Sequence, residues 1–250
     1  MNEEPIAESG FTAAAPPPAD SFPFWSYQDL ALLIGLSLPS LLAAALLVES
    51  LVRTFTTTAP GRPVQLLAAQ FLGYGLWFVC LYSVLRLRYG RPFWRSLGWT
   101  MPAPSVLVSC AAWGPVLAIV ASVLGYVLRT PNMDMPIKQF LRDRQSIFLV
   151  GLFASTLGPI CEELIFRGFV LPLLARSLGG AAGVVAAALP FALLHGPQYS
   201  WSWRHILLVT LAGAAFGWVR LRTGSTIAAA TIHGSYNLTF FIAFLSMGKG

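Results

Sequence analysis

Two adjacent acidic residues lie inside an apolar segment in the second half of the chain. After Asp143, Glu162 and Glu163 are the only acidic residues, and they stand in the apolar run from Gly158 to Leu174. A charged side chain at the bilayer centre costs at least about 2.5–3.5 kcal/mol on insertion scales, so such residues usually face the protein interior and mark a function. A buried carboxylate of this kind can act as a general base or bind a metal.

The spacing around the two glutamates separates their roles. Glu163 precedes Arg167 by four residues, which places both side chains on one helix face in the order that favours an ion pair. Glu162 points about 100° away around the helix, so this pair does not account for it. We therefore expect Glu162 to find a partner on another part of the chain, and the catalytic interpretation rests on this residue.

His195 is the first candidate partner of Glu162. If segments 146–178 and 180–196 form a helical hairpin that turns at Gly179, Glu162 and His195 each lie about 25 Å from the turn. The hairpin would bring them to similar depth. A histidine in a helix is more often a hydrogen-bonded packing residue, so the spacing is what favours the functional interpretation.

His233 and Asn237 form a second pair, with the i,i+4 spacing that places both on one face of the last apolar segment. The structural interpretation of Asn237 is a hydrogen bond between helices. The functional alternative is that the two side chains present donors to an oxyanion. His205 lies beside Trp203 and Arg204, which predicts a position at the membrane interface.

The composition predicts an all-α, polytopic transmembrane helical bundle. Apolar residues make up 56% of the 250 residues and charged residues 10%, against about 25% charged residues in soluble domains. Segments long enough to cross a bilayer predict about seven to eight spans. The candidate spans are 29–52, 64–86, 104–128, 146–178, 180–196, 206–222 and 226–246.

Residues 1–25 resemble a flexible, acidic, proline-rich tail, and 26–250 are predicted to form a single transmembrane helical domain whose chemistry lies at about 146–246. Segment 146–178 exceeds one crossing, which predicts a bend at Gly158 and Pro159 or an extension beyond the bilayer. Residues Ile137 to Arg144 mix apolar and basic side chains, as an interfacial helix does.

The net charge of +6 comes largely from arginines between apolar runs. Such residues set topology and contact anionic lipid headgroups, so membrane lipid is expected as a partner and nucleic acid is not. Arginines between the second and third spans weakly favour a cytoplasmic position for that loop. We expect a multi-pass protein of the cytoplasmic (inner) membrane. Six tryptophans, most of them near segment ends, suggest an aromatic belt: Trp25, Trp77, Trp94, Trp99, Trp201 and Trp203.

Three motifs occur in order on successive apolar segments: EExxxR at 162–167, FxxxH at 191–195 and HxxxN at 233–237. In these motifs the chain resembles the CAAX protease and bacteriocin-processing (CPBP or Abi) family of intramembrane proteases, which includes the type II CAAX prenyl endopeptidases. The resemblance covers roughly the final third of the chain. It implies an intramembrane endopeptidase that acts on a membrane-associated protein or peptide, including lipidated ones.

The resemblance also implies a role for each matched residue. Glu162 would be the principal catalytic carboxylate, and His195 would help it to orient and deprotonate water. His233 and Asn237 would stabilise the tetrahedral oxyanion. The supporting pair would be Glu163 and Arg167.

A zinc mechanism is the alternative chemistry, with Glu162, His195 and His233 as three ligands of an open catalytic site. No HExxH motif is present. If Glu162 were a ligand and Glu163 were tied to Arg167, the general base would be missing. The sequence therefore favours a mechanism with no cofactor, in which glutamate activates water.

Several functions remain open at this level. CAAX-like processing, bacteriocin maturation or immunity, and cleavage of sorting signals all fit the motifs. A non-catalytic membrane immunity or binding protein would keep the same residues for packing or partner contact. A proton-coupled transporter lacks the expected inverted repeat, and a rhomboid-like serine protease is disfavoured because Ser235 lies too close to His233 on one helix.

Overall fold

The computed structural model describes residues 22–56, 60–131 and 144–247, and in these ranges the chain is helical without a β-strand. We number the helices in chain order and treat Arg144–Leu178 as one helix. They are α1 (Tyr27–Phe55), α2 (Arg62–Ser83), α3 (Phe93–Ser96), α4 (Pro104–Val127), α5 (Arg144–Leu178), α6 (Gly180–Leu194), α7 (Trp203–Thr223) and α8 (Thr226–Met247).

Six of these helices are long and apolar enough to cross a membrane: α1, α2 with its continuation to Arg88, α4, α5, α7 and α8. The predicted all-α polytopic bundle is thereby confirmed. The predicted span 180–196 is the short helix α6, whose 15 residues reach about 22 Å and fall short of a hydrocarbon core of about 30 Å. An eighth span is not found within the described ranges.

The loop between α5 and α6 is one residue long. Gly179 has φ = 84°, in the left-handed region that disfavours side chains with a Cβ, and the helices on either side pack against each other. The predicted hairpin is therefore present, with its turn at the predicted glycine.

Helix α5 continues without a break past Gly158 and Pro159 but changes its hydrogen bonding there. It forms π-helical turns at Phe153–Leu157 and at Leu164–Val170, on either side of the α-helical Gly158–Glu163. Turns of the π type inside α-helices are frequent at functional sites. Here they bracket the two glutamates.

A core of apolar side chains joins α1, α2 and α5. Trp25 is fully buried, stacks on Phe169 at 5.1 Å between ring centroids and donates its indole N–H to the Phe169 carbonyl. Trp77 is also buried and donates to the Leu33 carbonyl. The predicted aromatic belt is therefore wrong for Trp25 and Trp77, which supply packing area and one interior hydrogen bond each.

Short contacts tie the helix ends together around α3, and we call this side of the bundle the α3 end. Buried Asp29 accepts hydrogen bonds from Arg88 and Tyr89, which joins the start of α1 to the end of α2. The Thr226 hydroxyl donates to the Leu97 carbonyl, which joins the start of α8 to the loop after α3. Residues 1–21 and 137–143 lie outside the described ranges, so the predicted tail and interfacial helix stay predictions.

Candidate active site

Glu163 is the centre of a buried polar network. Its side chain is 0% exposed, and its Oε1 lies 2.8 Å from Nη1 of Arg167 and 2.8 Å from Nδ1 of His233. The predicted ion pair with Arg167 is therefore present. The contact with His233 comes from α8, and the spacing of residues within α5 gave no sign of it.

Arg167 is held by three helices. Besides the pair with Glu163, its Nη2 donates to the Gly213 carbonyl of α7 at 2.7 Å. Its guanidinium lies 4.5 Å from the ring centroid of Phe191 in α6 and 5.5 Å from that of Phe216 in α7. A buried charge is tolerated only when it is paired and hydrogen-bonded, and these contacts meet that requirement.

His233 lies between the two glutamates. The Glu163 carboxylate can only accept at Nδ1, so this nitrogen carries a proton. The Nε2 atom lies 3.8 Å from Oε2 of Glu162, which is longer than a hydrogen bond. Phe216 stacks on the imidazole at 4.5 Å between centroids and fixes its plane. His233 is thus the distant neighbour that Glu162 was expected to have.

Glu162 faces a cavity while Glu163 does not. The Glu162 side chain is 21% exposed, and it lines a cavity of about 990 Å³ together with His195, His233 and Asn237. This volume lies at the upper end of the roughly 300–1,000 Å³ typical of ligand sites. All four residues to which the resemblance assigned direct catalytic roles therefore border one space.

His195 caps the end of α6 and borders the same cavity as Glu162. Its Nδ1 lies 2.8 Å from the Phe191 carbonyl, which can only accept, so Nδ1 carries the proton. The Nε2 atom consequently keeps its lone pair and can accept a proton or a hydrogen bond.

Asn237 uses its amide N–H to fasten α8 to α5. Its Nδ2 donates to the Ala154 carbonyl at 2.9 Å. That carbonyl lacks its usual partner, because the Gly158 N–H bonds to Phe153 instead and the next residue, Pro159, has no N–H. The structural interpretation of Asn237, a hydrogen bond between helices, thus has a specific partner, and its oxyanion role stays a prediction.

Gly234 allows this close approach of α8 to α5. A Cβ built at Gly234 would lie 2.6 Å from the Ser155 carbonyl oxygen, closer than real side chains come. The glycine and asparagine of the HGSYN segment therefore both meet the carbonyls around the π turn of α5.

Other polar side chains around the cavity lie outside the three motifs. Gln70 on α2 and Gln198 after α6 line it, and each amide lies 3.4 Å from a tyrosine hydroxyl, those of Tyr74 and Tyr199 respectively. Burial raises the pKa of Tyr199, so its hydroxyl stays protonated. The sequence contained one indication that Gln70 faces such a site, namely a polar side chain within an apolar span.

His205 also lines the cavity, where its ring stacks on Tyr199 at 4.8 Å between centroids. The sequence had placed it at the interface, because Trp203 and Arg204 precede it at the start of α7. Those two neighbours point elsewhere: Trp203 is 63% exposed, and Arg204 donates to the Arg129 carbonyl.

The proposed zinc ligands do not gather as a three-ligand site. Across the described part of the chain, no three His, Cys, Asp or Glu side chains are placed to hold a metal ion. Glu162 and His233 come close to each other, but within the described residues no third such side chain joins them. The donor types suit zinc, but their placement in this arrangement does not fit a shared zinc ion.

A comparison with protein families finds a match in the part of the chain that contains the site. Residues 144–239 match the family model described as type II CAAX prenyl endopeptidase Rce1-like, a stretch that contains all three motifs. No curated protein and no solved structure matches the chain. In residues 144–239 this integral membrane protein is thus similar to the Rce1-like type II CAAX prenyl endopeptidases, a family of membrane proteases.

Proposed function

We propose that the protein hydrolyses a peptide bond of a membrane-associated protein inside the 990 Å³ cavity, with Glu162 as the catalytic base and no metal ion. The observation that carries this proposal is the difference in burial and contacts between the two glutamates. Glu163 is buried and bound to Arg167 and His233, whereas Glu162 is partly exposed to the cavity beside His195.

In the first step the Glu162 carboxylate takes a proton from water, and the water oxygen attacks the carbonyl carbon of the substrate. The π electrons of that carbonyl move to its oxygen, which becomes an oxyanion. The unprotonated Nε2 of His195 accepts a hydrogen bond from the second O–H of the water, which stays on the oxygen, and so orients the nucleophile.

In the second step the oxyanion collapses and the carbon–nitrogen bond breaks. Glu162 returns its proton to the leaving nitrogen, so the products are a carboxylic acid and an amine, and the enzyme regains its starting state. A base that later acts as an acid accounts for both proton transfers with one carboxylate.

His233 offers a donor to the oxyanion when both of its ring nitrogens carry a proton. It then donates from Nδ1 to Glu163 and from Nε2 into the cavity beside Glu162. Preorganised donors of this kind stabilise an oxyanion by about 2.7–4 kcal/mol each. Glu163 and Arg167 position His233, and Asn237 holds its helix against α5.

The substrate is an extended segment of a membrane-associated protein, and a CAAX-like, lipidated C-terminal peptide is the class we favour. The cavity has largely apolar walls, which suit a lipid-modified side chain. A peptide in such a place must satisfy its backbone N–H and C=O groups, and Gln70 and Gln198 offer amides for this purpose. Bacteriocin leaders and sorting signals would use the same groups.

The direct test is cleavage of a prenylated, fluorogenic CAAX peptide by purified protein in lipid bilayers. We expect Glu162→Gln to lose at least about 100-fold in kcat, the lower range for a general base, with unchanged thermal stability. Glu49→Gln is the matched control, because Glu49 is exposed and pairs with Arg53 on the same helix.

Equal cleavage by wild type and Glu162→Gln would overturn the proposal. If neither protein cleaves any membrane peptide and Glu162→Gln still protects cells in an immunity assay, the non-catalytic alternative is the correct one.

A further inference from the structure

A second hollow, separate from the active-site cavity, lies on the outer surface of the bundle. It is a groove of about 310 Å³ between α4 and α7, with Ile232 of α8 at its base. The apolar part of its lining is Val106, Cys110, Val219 and Ile232.

Polar groups gather at one end of this groove. Ser105 lies one residue inside the start of α4, and Arg222 lies one residue inside the end of α7. Both helix termini belong to the α3 end, because Ser225, just after α7, donates to the carbonyl of Thr100, just before α4. This end of the groove therefore lies where a membrane-spanning bundle meets the headgroups.

The polar groups at this end are free to bind a ligand. Arg222 is exposed, and its guanidinium contacts the ring of Trp218 at 5.9 Å from the centroid. Within the ranges that the structure describes, Arg222 has no carboxylate partner, and the hydroxyls of Ser105 and Ser109 make no hydrogen bond. Both serines are exposed, so their hydroxyls can donate to a ligand in the groove.

The deeper part of the groove is aromatic. Trp218 lies one helical turn below Arg222, and Trp113 lies eight residues, or about 12 Å, below Ser105. The two side chains are 51% and 61% exposed, so they flank an open apolar channel that continues away from the headgroup level.

We propose that this groove binds one anionic phospholipid. The phosphate accepts hydrogen bonds from Arg222, Ser105 and Ser109, and one acyl chain lies against Trp218 and Trp113. The charge of the α3 end favours an anionic lipid over a zwitterionic one. In the part of the chain that the structure describes, Asp29 is the single acidic side chain of this end. The same end carries seven arginines: Arg86, Arg88, Arg91, Arg95, Arg176, Arg220 and Arg222.

Native mass spectrometry of the intact, detergent-solubilised protein tests the proposal. Phosphatidylglycerol and phosphatidylcholine with the same acyl chains are titrated separately. We expect the first phosphatidylglycerol to bind at least about fivefold more tightly, the equivalent of one basic residue near an anionic headgroup. Arg222→Gln should remove this preference.

Two further variants make the test specific to the groove. Arg95→Gln removes an arginine that is also exposed, at the same end but outside the groove, and it should keep the preference. Ser109→Phe leaves Arg222 in place but fills the channel, so it should weaken the binding of the first lipid of either kind.

Three results would each overturn the proposal. The first is equal affinity of the wild type for both lipids. The second is an equal loss of preference in Arg222→Gln and Arg95→Gln, which would mean diffuse attraction to the charged surface. The third is unchanged lipid binding by Ser109→Phe, or dimer dissociation as its main effect, which would assign the groove to a second copy of the chain.

Discussion

Glu162 and Glu163 are neighbours in sequence and have different surroundings in space. Glu163 has a guanidinium and an imidazole on one oxygen, while Glu162 borders the cavity. The second oxygen of Glu163 is buried without a hydrogen-bond partner in the described residues. Held in this way, the Glu163 carboxylate positions other groups. The carboxylate of Glu162, which borders the cavity, is the one that can reach a substrate.

The buried pair permits a direct measurement of what Arg167 contributes. Arg167→Gln should lower the free energy of unfolding by about 3–5 kcal/mol, since it leaves the Glu163 charge buried without its cation. Arg53→Gln is the matched control, because Arg53 also pairs with a glutamate at i,i+4 spacing but with side chains 77% and 55% exposed. Its expected cost is below about 1 kcal/mol.

Unfolding of both variants in mixed micelles, followed by circular dichroism, measures these differences. Equal costs for the two arginines would contradict the buried network as a source of stability. The double variant Glu163→Met/Arg167→Met should recover part of the loss, because it removes both charges together.

His195 offers a test that separates its two nitrogens. Asparagine at this position can still donate to the Phe191 carbonyl in place of Nδ1, but it has no counterpart of Nε2. We expect His195→Asn to keep its melting temperature and to lose about 100-fold or more in kcat. His205→Asn, in the wall of the same cavity, should change kcat far less, and the reverse order of effects would refute the assignment.

At the scale of the helix, the π turn of α5 explains why α8 carries its particular residues. Pro159 and the shifted Gly158 N–H leave carbonyls of α5 without their usual partners, and Asn237 binds one of them. The contact places His233, one turn earlier on α8, against Glu163. A distortion in one helix thus sets the position of a catalytic candidate on another.

Gly234→Ala tests this contact between helices. Its Cβ would lie 2.6 Å from the Ser155 carbonyl, so α8 must move away from α5. We expect a loss of about 1–3 kcal/mol, as in other overpacked cores, and a fall in kcat because His233 moves with α8. Thermal unfolding and peptide cleavage measure the two effects.

Gly75→Ala is the control for that substitution, since a Cβ at Gly75 in α2 meets nothing within 4 Å. Removing a glycine from a helix interior at such a site should leave stability unchanged or raise it by about 0.5–1 kcal/mol. If both alanines behave alike, the close approach at Gly234 has no energetic consequence.

Whether the protease uses a glutamate or a metal ion depends on the whole molecule, because α5, α6 and α8 must together supply any metal ligands. In this bundle they bring Glu162 and His233 near each other, but no third His, Cys, Asp or Glu of the described residues joins them to hold a metal ion. We therefore expect the cleavage rate to stay within about twofold after incubation with a strong chelator, since a metal that activates water is indispensable where it occurs. Loss of activity restored by added zinc would refute the glutamate mechanism.

Much of the architecture could be predicted from the sequence for a physical reason. An apolar run of about 20 residues must form a helix in lipid, and a glycine pair between two such runs predicts their hairpin. The motifs then identified Glu162, His195, His233 and Asn237, and the i,i+4 rule gave the Glu163–Arg167 pair. These are local properties of the chain.

The tertiary structure decided what no local pattern contains. It placed His233 of α8 between the two glutamates of α5, moved Trp25 and Trp77 into the interior, and brought Gln70 of α2 and His205 of α7 to the cavity. Each of these depends on which helix faces which, and all the helices are apolar on most sides. Helix packing in a membrane is set by close steric fit and a few hydrogen bonds between distant residues, so the partners of Glu163 and Asn237 are visible only in the assembled bundle.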